Sequence, residues 1–124
     1  MINFIINRAK SFKLAAKGML TMLRCEHNAW LHMLATALVC AAGFYLGLDN
    51  HDWCWIVLAI VSVWMAEALN TALELLADVA SPDFHPLVEK AKDVAAGAVL
   101  IASIGSVVIA LLVFWSYILD LLRP

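Results

Sequence analysis

Charge is what this chain has least of. Of its 124 residues only 15% are charged, against about 25% in an average soluble domain. Hydrophobic residues make up 65% and the mean hydropathy is +0.89. A water-soluble monomer and a disordered chain are both excluded by that balance. The formal net charge of −2 leaves no cationic surplus to neutralise phosphates, which excludes a nucleic-acid binder. Cysteine is also sparse: Cys25, Cys40 and Cys54 are odd in number and widely spaced, so neither a disulfide framework nor a zinc cluster is indicated. The four histidines show no ligand spacing, and no G-x-x-x-x-G-K-[ST] run is present, so a bound nucleotide would have to be held without a P-loop. Internal repeats, low-complexity tracts and a second domain are absent as well. The remaining class is an integral membrane protein.

What is there are long uncharged runs. Crossing the hydrocarbon core takes about 20 helical residues; residues 29–48 supply 20 without a formal charge and residues 94–119 supply 26. Between them, residues 53–66 are uncharged for 14 positions before Glu67, yet the apolar pattern resumes to about Ala80. Alternating ten-residue segments are missing, so the spans are helices and not barrel strands. The expected fold is an all-α membrane protein: a single domain over 1–124, with a surface helix over 1–25 and transmembrane helices over 29–48, 53–80 and 90–120.

Orientation follows from the basic residues. Arg8, Lys10, Lys13, Lys17 and Arg24 precede the first span and Lys90 and Lys92 lie between the second and third, which places both groups, and the N-terminus, on the cytoplasmic side. Arg123 alone falls on the other side. In the first 25 residues Ile5, Phe12, Ala16, Met19 and Leu23 share one helical stripe with Lys10, Lys13, Lys17 and Arg24 beside it, the pattern of an amphipathic helix in an anionic membrane surface. A basic anchor without chemistry would look the same. Ser81 to Leu87, with Pro82 and Pro86, breaks helix between the second and third spans.

The informative residues lie inside the second span. Glu67, Asn70, Thr71, Glu74 and Asp78 recur every three or four positions and so share one helical face descending toward the cytoplasm. An ionised carboxylate in hydrocarbon costs several kcal/mol, so partners are required. Glu26, Glu89, Lys90, Lys92 and Asp93 stand at the same depth as the Glu74 and Asp78 end. Three readings are open: acids paired with lysines to fix packing, a small proton- or cation-coupled transporter, and a divalent-metal site for phosphate chemistry. Three helices cannot shield such a cluster from lipid by themselves, so neighbouring copies are expected to cover it.

The order E-x-x-N-[ST]-A-x-E-x-x-x-D over residues 67–78, then Phe84-His85-Pro86-Leu87, then Ala91-Lys92-Asp93, resembles the signature of the small bacterial diacylglycerol kinase and undecaprenol kinase family. Together with length and span count, the resemblance covers nearly the whole chain. It implies a homotrimeric lipid kinase of the bacterial inner membrane that uses MgATP and a membrane lipid alcohol. Residue by residue it implies that Glu67 is the general base, that Asn70 orients the reacting groups, and that Glu26 and Glu74 ligate magnesium. Lys92 and Asp93 match the pair at the nucleotide phosphates. Asp78 and His85 match positions lining the nucleotide site, and Lys17 is placed with the nucleotide contacts. Around the first span, Glu26, Asn28 and His32 form an E-x-N-x-x-x-H pattern similar to the undecaprenol kinase branch, which favours a polyprenol over diacylglycerol.

Overall fold

The computed structural model describes residues 1–123, which form four α-helices: α1 (Ile2–Cys25), α2 (His27–Leu46), α3 (Asn50–Ala80) and α4 (Pro86–Leu121). Three of them, α2, α3 and α4, are long and apolar enough to cross a membrane. At 1.5 Å per residue, α3 and α4 reach roughly 46 and 54 Å, longer than the ~30 Å hydrocarbon core. Their polar ends therefore project beyond it.

Each break has a local cause. Glu26 adopts an extended conformation (φ −109°, ψ 120°) and separates α1 from α2. Gly47 closes α2 in the left-handed region (φ 69°), where a side chain would be strained, and the Leu48 N–H returns to the Gly43 carbonyl at 3.0 Å. This closure ends α2 at Leu46, two residues before the expected 48. Asp49 then caps α3 by accepting the Asp52 N–H at 2.8 Å, the usual N-cap bond. Asn50, His51 and Asp52, which lie between the expected spans, consequently form the first turn of α3. Pro86 occupies the first turn of α4, behind a His85 cap whose Nδ1 accepts the Leu87 N–H at 3.2 Å. A missing N–H is harmless at that position, so α4 starts four residues before the expected 90.

Packing is dominated by α3 against α4, with α2 against α3 next and α1 touching both α2 and α3. At the end opposite the prolines, Leu48, Ile56 and Val113 form a buried cluster backed by Trp53, Phe114 and Tyr117. Tyr117 staples the helices there: its hydroxyl donates to Asp52 Oδ2 at 2.8 Å and accepts the Asp49 N–H at 3.1 Å. In mid-span the Trp64 indole N–H donates to the Thr36 hydroxyl at 3.1 Å, joining α3 to α2.

Gly43 is needed for the close approach of α2 to Trp53. A Cβ there would stand 2.9 Å from Trp53 Cη2, and Trp53 is itself held against Phe44 at a ring separation of 4.7 Å. Gly43→Ala is expected to destabilise the fold by about 1–3 kcal/mol, the usual cost of overpacking. An unchanged unfolding midpoint in detergent would show that Trp53 moves aside freely.

Candidate functional site

The α3 face read from the sequence is present, and it carries the buried polar side chains. Glu67 is 1% exposed, Thr71 3% and Asn70 7%. Thr71 donates its hydroxyl to the Glu67 carbonyl at 3.0 Å, leaving the carboxylate untouched. One turn further on, Asn70 Nδ2 donates to Glu74 Oε1 at 3.0 Å. From α2, His32 Nε2 approaches Glu67 Oε2 to 3.8 Å, beyond hydrogen-bond range. Both Glu67 carboxylate oxygens, His32 Nε2 and Asn70 Oδ1 are buried without a partner. Native interiors leave few such atoms unless the site has another occupant.

These groups line a cleft of about 280 Å³, which Glu26 and Asn28 enter from the α1–α2 junction and which Val99, Leu100 and Ser103 of α4 wall on the far side. Burial pushes the Glu26 carboxyl above its ordinary value, and the neighbouring carboxylates of Glu74 and Glu67 push it further. Three acids facing one cleft repel one another. Hard oxygen donors of this kind suit magnesium, and Glu26 and Glu74 are placed to supply them.

A second cleft, of about 410 Å³, lies at the proline loop and is lined by Asp78, His85, Glu89, Lys92 and Asp93 among others. Lys92 Nζ meets Asp78 Oδ1 at 2.9 Å, across α4 and α3, with the lysine 36% and the aspartate 67% exposed. The single acidic cluster expected from the sequence is thus two adjoining clefts, because Glu74 and Asp78 are one turn apart on α3 and face different neighbours. Lys17 is exposed on α1 and lines neither cleft. Within one chain Glu67 is already buried, whereas Asp78 and Asp93 of the same cluster stay exposed.

A family model described as prokaryotic diacylglycerol kinase matches residues 13–114, a stretch that includes every residue of both clefts. The chain belongs to this family. It is a membrane lipid kinase of the prokaryotic diacylglycerol kinase type, and that membership disfavours the transporter reading. The chain is 39% identical to an undecaprenol kinase of Bacillus subtilis over 105 residues, 85% of each protein. It is 31% identical to a diacylglycerol kinase of Helicobacter pylori over 118 residues, covering 90% of this chain and 85% of that one. A diacylglycerol kinase of Escherichia coli matches at 31% over 85 residues, covering 68% of this kinase and 66% of its relative.

His32 belongs to the E-x-N-x-x-x-H pattern of the sequence, but nothing in that pattern places it beside Glu67. Its separation of 35 positions from Glu67 hides a proximity that only the packing of α2 on α3 creates.

Proposed function

We propose that this lipid kinase transfers the γ-phosphate of ATP to the primary hydroxyl of a membrane lipid alcohol, undecaprenol in preference to diacylglycerol, at the cytoplasmic face of the bacterial inner membrane. The observation that carries this reading is Glu67, a carboxylate buried in mid-chain without a hydrogen-bond partner and next to a cleft of further acids. An acid left free at that cost suits proton transfer. In the proposed reaction the lipid hydroxyl gives its proton to Glu67 while its oxygen bonds to the γ-phosphorus. The bond from that phosphorus to the ADP oxygen breaks, leaving lipid phosphate and ADP. Asn70 orients the reacting groups through its bond to Glu74. Glu26 and Glu74 hold magnesium, which when bound supplies positive charge against the phosphate oxygens. Lys92 and Asp93 engage the phosphates at the outer cleft, with Asp78 and His85 beside the nucleotide.

The assembly belongs to the same proposal: α1 lies as an amphipathic helix in the cytoplasmic interface, the N-terminus is cytoplasmic, and three copies close into a homotrimer. Undecaprenol is favoured by Asn28 and His32, which both line the Glu67 cleft, and by the 39% identity to the Bacillus subtilis undecaprenol kinase. The test is labelled phosphate transfer from ATP to undecaprenol and to diacylglycerol side by side in detergent micelles. Faster transfer to undecaprenol is expected. Equal or faster labelling of diacylglycerol would overturn the substrate assignment, and gradient-driven solute uptake without ATP would overturn the kinase mechanism.

The magnesium assignment makes its own forecast. A carboxyl raised on folding makes the folded chain bind more protons than the unfolded one, so stability falls as pH rises from the ordinary carboxylate value through the raised value of Glu26. A divalent cation relieves the same repulsion. Added magnesium should therefore raise the unfolding midpoint above that window and have little effect below it, and Glu26→Gln should flatten both responses. Glu74→Ala should raise the magnesium requirement of transfer and weaken ATP binding. A midpoint indifferent to magnesium at every pH would remove Glu26 from the ligand set.

A further inference from the structure

Three partnerless atoms meet at one point in the protein: His32 Nε2 and the two carboxylate oxygens of Glu67. The imidazole nitrogen and the nearer oxygen are 3.8 Å apart. That gap is too wide for a direct bond but matches the span of one oxygen about 2.8 Å from each, which the two enclosed side chains would admit by parting slightly. As an N–H donor beside a carboxylate acceptor, the pair complements a group that both accepts and donates one hydrogen bond. A hydroxyl is such a group.

What lies on the other side of His32 says which hydroxyl. An open groove of about 260 Å³ runs from His32 along α2, α3 and α4, walled mainly by apolar residues such as Ala35, Val39, Ile56 and Val107. Thr36 also faces this groove, but its hydroxyl already accepts the Trp64 N–H. His32, Leu31 and Ser103 border both this groove and the acidic cleft, so the partnerless pair stands where an apolar channel opens onto the carboxylates. A hydrocarbon chain in the groove would bring a hydroxyl at its end to that point.

We propose that His32 donates its Nε2–H to the acceptor oxygen of the lipid alcohol, holding that hydroxyl against Glu67 with its proton directed at the carboxylate and one oxygen lone pair free to attack phosphorus. The ligand class is a primary alcohol at the head of an apolar chain. This inference rests on the kinase reading above and adds to it a residue that touches the substrate. A single-headed alcohol suits the junction better than a glycerol diester. Two ester groups beside the hydroxyl would have to enter a groove where Ser103 and Ser106 are the only other polar side chains lining it besides His32 and Thr36, and the Ser106 hydroxyl already donates to the Ser103 carbonyl at 2.8 Å.

The experiment compares wild type, His32→Leu and His32→Gln for transfer to undecaprenol and to dioctanoylglycerol, with KM for ATP measured in each. Leucine keeps the bulk and removes the donor, and glutamine keeps an N–H at similar reach. His32→Leu should lower kcat with undecaprenol about tenfold or more while leaving KM for ATP unchanged, and His32→Gln should restore most of the loss. A packing role would instead lower the unfolding midpoint and would not be rescued by glutamine. Leucine at near wild-type rate, or glutamine as slow as leucine, would overturn the proposal. A second measurement needs no variant: in ¹⁵N-histidine-labelled wild type the His32 Nε2–H resonance should shift on adding undecaprenol without ATP, and not on adding squalene, which has the chain but no hydroxyl. No shift with undecaprenol overturns the proposal even if the leucine variant misfolds. If wild type phosphorylates neither alcohol, the kinase reading itself fails, a result distinct from an active enzyme that ignores the loss of His32.

Discussion

Glu67→Gln is expected to reduce phosphate transfer by at least about two orders of magnitude, the loss typical of a removed general base, and to leave the protein folded. The geometry makes this substitution unusually clean. Glutamine has the shape of glutamate, and the native carboxylate makes no hydrogen bond that would be lost. The bond that ties this turn of α3 together runs from the Thr71 hydroxyl to the Glu67 carbonyl, which the substitution does not touch. Replacing an unpaired buried acid by a neutral amide removes a desolvation cost, so the unfolding midpoint in detergent should hold or rise. A structural acid makes the opposite forecast, because breaking a buried pair destabilises the fold by about 3–5 kcal/mol while leaving chemistry to other groups. Measuring ATP-dependent transfer and thermal unfolding on the same preparation separates the two. Near-normal transfer would sink the general-base assignment.

The second large effect concerns assembly. Glu67 is enclosed by its own chain, but the Asp78 and Lys92 cleft stands open. If a neighbouring copy completes the site, its cover must reach that outer cleft, where the phosphates are proposed to sit. Glu67→Gln and Lys92→Ala, each expected to be inactive alone, are then complementary when mixed before assembly. A trimer containing both kinds of chain can hold one site in which an intact Glu67 from one copy faces an intact Lys92 from another. Activity should rise from near zero to a maximum at intermediate mixing ratios and fall again at either extreme. Zero activity at every ratio, with mixed trimers shown to form, would mean that each chain holds a complete site. The single-chain ion pair of Lys92 with Asp78 at 2.9 Å makes that alternative concrete, so the mixing curve is the decisive measurement.

Much of the architecture was legible in the order of residues. Uncharged runs mark α2 and α4 because a helix satisfies its own backbone in lipid and needs only apolar side chains to do it. The three- and four-residue spacing from Glu67 to Asp78 marks one face because helical geometry is local. Helix ends were less legible. Pro86 looked like part of a breaker and is instead an opening residue, since the first turn of α4 requires no N–H from it. Asn50 and Asp52 fall between the expected spans and are helical because Asp49 caps them and Tyr117, 65 positions from Asp52, completes the network.

Hydropathy and periodicity report on neighbours within a few turns, and so the run of residues was enough to establish a membrane-embedded helical chain with an acidic face and a lipid-kinase motif. Contacts between distant segments depend on which faces the helices turn toward each other, and no local pattern encodes that. Folding therefore divides the charged cluster into two clefts, encloses Glu67 within a single chain and leaves Lys17 outside both clefts. It also sets His32 beside Glu67 at the mouth of an apolar groove, because α2 packs on α3 through Trp64, Thr36 and Gly43 and turns that face of α2 inward.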